Sequence, residues 1–390
     1  MVQSGCELFD VRLDDARRVD GEYFDNDQGL WDGAMKASRP ALGYMLSAGL
    51  LVVCGGCHGA RSHRPITAVV SIKVPLGLPA LQIPANNPPT VEAIALGREL
   101  FYDKRVSSND SLSCASCHAP QLGFTDGRAV SMGAVGTLGL RNAPTLLNAA
   151  YSSPLFWDGR APNLEEQAGA PIADPVEMNQ SHKDFVSRLA ATAYKGEFEK
   201  VFGPGPITIE KVEMALASFE RTLLSGNSAF DRYEYAGDGT ALTPAALRGM
   251  AVFKDATRGN CAVCHTLGKQ DALFTDNKFH NTGIGVDADS ATVDTGRARV
   301  THQQGDEGAF RTPTLRNVAI TGPYMHNGSL KTLKDVVDFY AGGGNSNPGL
   351  DREMKAIHLT GEDRTDLVAF LQSLTGEMPN NVGPPLEGVK

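Results

Sequence analysis

Apolar residues recur at three- and four-residue intervals in several separated stretches of the chain, and each stretch carries the end signals of an α-helix. Val212, Leu216, Phe219 and Leu223 share one helical face, with Thr208 and Glu210 marking where that helix starts. Thr90 is placed to cap a helix running through Leu100. Thr243 followed by Pro244 pairs an N-cap with a first-turn proline, leading into Leu247 and Phe253. Thr360 and Asp363 have capping-box spacing before Leu367, Phe370, Leu371 and Leu374, with Gly376 as the stop. A shorter helical pattern runs from Thr332 to Tyr340 and meets Gly342, Gly343 and Gly344. No stretch reads as a substantial sheet, so the expected fold is mainly α.

One apolar run differs from these. Ala41 to Val53 follows the basic start Met35-Lys36-Ala37-Ser38-Arg39. It has the length of a signal-peptide core and is too short to span a bilayer. Residues 1–34 are polar and acidic, so translation is expected to start at Met35, with export to the periplasm. Cys54-Gly55-Gly56-Cys57-His58 sits at the end of the run, where a peptidase would cut. Three readings stay open there: a lipoprotein-type cut that anchors Cys57 to lipid, ordinary cleavage, or a third cofactor site. Pro75, Pro79, Pro84, Pro88 and Pro89 then read as an extended linker.

The 390 residues suffice for two or three domains, and 36 basic against 45 acidic residues give a net charge of −9. That balance argues against nucleic acid and is compatible with a basic electron-transfer partner. The 42 glycines and 22 prolines suit a loop-rich α protein wrapped around cofactors.

Cys114-Ala115-Ser116-Cys117-His118 and Cys261-Ala262-Val263-Cys264-His265 are two copies of C-x-x-C-H, the attachment signature of c-type haem. The two thiols of each copy reach the vinyl groups of one porphyrin, and the adjacent histidine becomes an axial iron ligand. A zinc site or a redox dithiol could also use the cysteines but leaves both histidines without a purpose. The segment before each copy repeats as well. GRELFYD (97–103) and GMAVFKD (249–255) share G-x-x-x-F-x-D, which points to a duplicated cytochrome c-like unit. Opposite His118 nothing closes the iron, because Ala119 to Gly139 holds one methionine, Met132, and no histidine. Opposite His265 the candidates are Met325, His326, Tyr340, Met354 and His358.

These motifs resemble the bacterial dihaem cytochrome c peroxidases and their MauG branch. The resemblance covers about residues 90–376 and rests on LGRELF (96–101), SCASCH (113–118), RNAPTLLN (141–148), FWDGR (156–160), FERTL (219–223), FRTPTLRN (310–317) and PYMH (323–326). It implies roles by position. Gln167 and Glu177 match the polar pair above a peroxide-binding first haem, with Pro171 shaping that space. Trp157 matches the tryptophan between two haems, and Asn142, Thr321 and the Pro323 carbonyl match the ligands of one Ca²⁺. Two departures favour the MauG branch. Many of the peroxidases carry a loop histidine where Ala134 stands, and a methionine on the second haem where Tyr340 aligns. A third cuts the other way, since Arg258-Gly259-Asn260 replaces the stretch where MauG has a surface tryptophan.

The expected organisation is a leader (1–34), a signal peptide (35–57), a linker (58–89), a peroxide-binding haem domain (90–240), an electron-relay haem domain (241–376) and a tail (377–390). The resemblance implies two covalent haems and reaction with H₂O₂ at the first. The second haem, held by His265 and Tyr340, stores or relays oxidising equivalents through Trp157 for MauG-like oxidation of a partner protein. The alternatives are peroxide reduction with electrons from a small cytochrome c or cupredoxin, and a non-catalytic dihaem electron carrier.

Overall fold

The computed structural model describes residues 68–285 and 294–385. The expected leader, signal segment and third motif (Cys54, Cys57, His58) lie outside them. The described residues contain eleven α-helices: α1 Val91–Tyr102, α2 Cys114–Cys117, α3 Leu164–Ala173, α4 His182–Ala190, α5 Tyr194–Phe202, α6 Ile209–Glu220, α7 Ala229–Ala236, α8 Pro244–Lys254, α9 Ala298–Thr301, α10 Leu333–Ala341 and α11 Gly361–Gln372. A single antiparallel pair, β1 Phe279–His280 with β2 Phe310–Arg311, is the whole sheet among these residues. No helix among them is long and apolar enough to cross a membrane.

The caps read from the sequence are in place. The Thr90, Thr208, Thr243, Thr332 and Thr360 side chains accept from the backbone N–H three residues on, which satisfies a donor the first helical turn leaves free. Two ends differ from expectation. Leu223 lies beyond α6, and α11 stops at Gln372 rather than at Gly376. The residues between are taken over by a tertiary partner: Asn317 N–H donates to the Leu374 carbonyl, and Gly376 N–H to the Asn317 side chain.

Two large hydrophobic cores, with a smaller cluster of Ala149, Leu155, Ala161, Leu164 and Ala217 beside them, organise the described residues. Phe101, Phe124, Ile172, Phe185, Leu216 and Phe219 belong to one; Phe230, Phe253, Phe274, Val337 and Phe370 belong to the other. The repeated heptad has one physical role in both. A Cβ on Gly97 would stand 1.9 Å from the Ala215 carbonyl oxygen of α6, and one on Gly249 1.9 Å from that of Asp366 in α11. Each glycine therefore lets its helix cross a partner backbone closely. Phe101 and Phe253 enter the cores. The Asp103 and Asp255 carboxylates accept from the backbone N–H two residues on, turning the chain toward its haem motif. Gly249→Ala is expected to destabilise the protein by about 1–3 kcal/mol through overpacking. Urea unfolding checks this, and an unchanged midpoint would mean the crossing is not tight.

The stretch expected as a linker is extended, as its prolines require, yet it is not free. Val70 pairs with Pro89, the Gly77 carbonyl accepts from Arg316, and the Pro79 carbonyl accepts from Tyr151. Residues 68–89 thus strap both cores. The tail is also tied down, since the Gly383 and Val382 carbonyls accept from Arg98 and Tyr102 of α1.

Candidate haem and peroxide site

A cavity of about 1000 Å³ is lined by both C-x-x-C-H motifs. That is the upper end of what one small-molecule ligand takes. The residues of the two C-x-x-C-H motifs and the positions assigned by the resemblance are all on its wall: Cys114, Cys117, His118, Asn142, Trp157, Gln167, Pro171, Glu177, Cys261, Cys264, His265, Thr321, Pro323 and Tyr340.

The two motif histidines are held alike. The His118 Nδ1 lies 3.0 Å from the Phe124 carbonyl, and the His265 Nδ1 2.9 Å from that of Phe274. With Nδ1–H donating to a carbonyl, the other ring nitrogen is the free ligand atom. Burial holds both rings toward the neutral form, the form that binds iron. Phe124 and Phe274 both adopt positive φ, so each chain half bends in the same way to bring a carbonyl to its histidine. None of the four cysteines of these two motifs is engaged in a disulfide, so each pair can bond a porphyrin.

Gln167 and Pro171 are four residues apart in α3 and share one face. Glu177 follows that helix, with its N–H donating to the Asp174 carbonyl. Burial, reinforced by the Asp174 charge, pushes the Glu177 carboxyl up from the usual range. Its backbone is clamped by the glycine-rich loop opposite, where Ala134 N–H donates to the Glu177 carbonyl at 2.7 Å. A Cβ on Gly133 would stand 1.9 Å from the Val176 carbonyl oxygen. The position where many relatives would carry a histidine is thus a backbone clip. Met132, the thioether of that loop, lines the cavity but is 46% exposed.

Trp157 contacts residues from both halves of the chain. Its indole N–H donates to the Asn142 carbonyl at 2.9 Å, and its ring meets His326 edge-on at 6.4 Å. His326 stacks on Phe310 at 3.5 Å, and burial pushes its imidazole down to about 4. Among the candidates opposite His265, Tyr340, Met325, His326 and Met354 reach the cavity, and His358 is exposed away from it. Tyr340 sits near the end of α10, its phenol pushed strongly up by burial and then by the nearby Cys264 and Cys261 sulfurs.

The residues present fit haem c. Besides the thiol pairs and oriented histidines, two polar groups on the wall suit a cofactor in the cavity. The Gln167 Oε1 is buried without a hydrogen bond. Arg311 lines the cavity with no carboxylate bonded to it, only contacts of 3.3–3.4 Å to Phe156, Asn277 and Thr312, and burial alone pushes its guanidinium down to about 10. A half-buried guanidinium on the cavity wall with no carboxylate bonded to it suits an anion there, and porphyrin carboxylates supply one. Arg311 was missed in the sequence because an arginine carries no local sign of burial; its place inside FRTPTLRN was the available signal. A Cys264, Asp276 and His280 cluster also has metal-ligand spacing. Its cysteine belongs to the haem motif, and His280 is already held by Asp351 at 2.6 Å and Asp276 at 3.0 Å.

The family model for di-haem cytochrome c peroxidase matches residues 91–240, and the model for cytochrome c matches residues 246–375. Methylamine utilization protein MauG of Methylophilus methylotrophus is 40% identical over 307 residues, 78% of this chain and 88% of that protein. Cytochrome-c peroxidase IdrP1 of Denitromonas iodatirespirans is 37% identical over 335 residues, 78% of this chain and 87% of that one. The crystal structure of a MauG-like protein associated with microbial copper homeostasis superposes with a TM-score of 0.71 at 34% identity, covering 81% of this chain and 98% of that one.

Proposed function

Since this chain belongs to the dihaem cytochrome c peroxidase and MauG family, and is a haem oxidoreductase with two cytochrome c-like domains, we propose that it reacts with H₂O₂ beside His118 and uses the oxidising equivalents on a partner protein. The observation that carries the reading is the meeting of Glu177, Gln167 and Pro171 on the cavity wall that His118 shares, with Ala134 clipped to Glu177 where a closing histidine would stand.

Bound haems supply the iron-centred redox chemistry. The protein's part is to hold the peroxide and move its proton. Glu177 takes the proton from one peroxide oxygen and returns it to the other, so that one oxygen departs as water. Gln167, with a free Oε1, orients the peroxide. Trp157 spans the gap between the two cores as a stepping stone for electrons. Tyr340, on the cavity wall that His265 shares, would supply a phenolate oxygen to an iron held by His265, and such a ligand would favour the oxidised state. Asn142, Thr321 and the Pro323 carbonyl would hold Ca²⁺ through oxygen donors. The Asn142 Nδ2 is committed to the Arg128 carbonyl at 2.7 Å, which leaves Oδ1 for the cation. The protein works in the periplasm, with Cys57 as its lipid anchor.

The second reading, peroxide reduction with electrons from a small cytochrome or cupredoxin, is favoured by Arg258. This residue pairs with Asp363 in the stretch where MauG has its surface tryptophan. Ferric EPR of haem-loaded wild type and Tyr340→Met tests the site. One high-spin and one low-spin haem, the low-spin signal changed by the substitution, is the expected result. Two low-spin haems indifferent to the substitution would sink both the open first site and the Tyr340 ligand. Steady-state turnover of reduced cytochrome or cupredoxin with H₂O₂ separates the second reading from the first.

A further inference from the structure

Among the buried acids of the described residues that the mechanism above leaves unused, Glu220 has a carboxylate oxygen without a partner. Glu220, the last residue of α6, is 4% exposed and lines the cavity. Its Oε2 is buried with no hydrogen-bond partner. The nearest cation does not neutralise it. Arg221 gives its Nη2 to Glu165 of α3 at 2.5 Å, and Glu165 also accepts from Asn87 at 2.7 Å. The Arg221 Nη1 is itself buried without a partner. On the cavity side Glu220 lies close enough to Cys114 of α2 for its charge to act there. The face of α1 packed against α6 is apolar, through Leu96, Gly97, Leu100 and Phe101.

We propose that Glu220 is a proton-holding group coupled to the oxidation state of the first haem, binding one proton when that iron is reduced and releasing it when the iron is oxidised. The inference rests on His118 carrying a haem. A carboxylate without hydrogen bonds in a dry wall is costly, so the acid stays protonated unless a positive charge arises nearby. Burial first, and then Glu165, push its carboxyl up to about 8 against the pull of Arg221. That places its titration where a change of one charge at the Cys114-linked porphyrin decides its state. The balance is one electron from a one-electron donor to ferric iron and one proton from solvent to the Glu220 carboxylate. No porphyrin bond changes. Oxidation reverses both.

The test is a spectroelectrochemical titration of both haems in the loaded, full-length protein at several pH values around 8, in wild type, Glu220→Gln and Glu220→Asp. In wild type the reduction constant of the first haem is expected to fall about tenfold per pH unit, about 59 mV for one electron, while the second haem stays flat. Glu220→Gln removes that slope and Glu220→Asp retains it. A slope that survives in Glu220→Gln, or is missing in wild type, overturns the proposal. Should Glu220→Gln fail to load haem, redox-difference infrared spectra of wild type and Glu220→Asp decide. A carboxylic C=O band lost on oxidation and moved by the Asp substitution supports the coupling, and an unmoved band overturns it. Haem content, counted in the same samples, separates the two failures. Two haems with no Glu220-dependent slope defeat this inference, whereas a haem missing from the Cys114-Cys117 motif defeats the site reading beneath it.

Discussion

Glu177→Gln is expected to slow the reaction of the haem-loaded enzyme with H₂O₂ by about 10²–10⁴-fold, the usual contribution of a positioned acid–base group. The amide keeps the shape and the polar contacts of the side chain but cannot take up or return a proton. Wild type should also show an acid limb in its peroxide rate that the variant lacks. Glu177 must begin as a carboxylate to accept a proton, so activity falls as pH drops through its folded-state value. Burial, followed by the Asp174 charge, raises that value, and the limb should therefore lie above the ordinary glutamate range of about 4.3. The same shift has a cost in stability. A raised carboxyl contributes fully below the unfolded value, and its contribution is lost as pH rises through the folded one. Stopped-flow mixing with H₂O₂ across pH reads both effects. A Gln variant that reacts at the wild-type rate would remove Glu177 from the chemistry.

Arg316→Met is expected to destabilise the fold by about 3–5 kcal/mol, the range for leaving one member of a buried ion pair alone. Arg316 is 1% exposed and Asp231 fully buried. The guanidinium donates to both Asp231 oxygens at 2.9 and 2.8 Å, to the Ala272 carbonyl at 2.6 Å, and to the Gly77 carbonyl. Asp231 in turn accepts from the Ser228 backbone and hydroxyl as the capping box of α7. One side chain thus fastens the 68–89 strap, α7 and the second core. Its loss strands a carboxylate where no water reaches. Urea unfolding of the loaded protein measures the change, and the double variant Arg316→Met/Asp231→Leu should recover much of it, because neither charge then remains buried. A single variant as stable as wild type would mean that the pair does not hold the strap.

What the sequence determined by itself was whatever is encoded within a few residues. The threonine caps sit beside the helices they start. The cysteines and histidine of each motif are adjacent, so two haem attachments follow from spacing alone. The repeated G-x-x-x-F-x-D stretch also marked a duplicated unit, and its role as helix crossing, core anchor and turn emerged in both halves alike. The helices α3, α4, α5 and α7 escaped notice, α3 carrying Pro171 in its interior. The resemblance supplied Gln167, Glu177 and Trp157, which no periodicity singles out, and selected Tyr340 from the candidates already placed opposite His265.

Only the tertiary structure decided which groups lose water and which partners meet. Asp231 and Arg316 are far apart in the chain, as are the residues that clip Ala134 to Glu177 and bring Trp157 against His326. The proline-rich stretch reads as a linker because extended backbone looks the same whether free or tied, and its ties come from Arg316 and Tyr151. Arg311 and Glu220 look like ordinary surface charges in a linear chain. They become a cation awaiting an anion and an acid kept neutral because folding places them on a dry cavity wall, where the energy of a charge depends on distant segments that close around it.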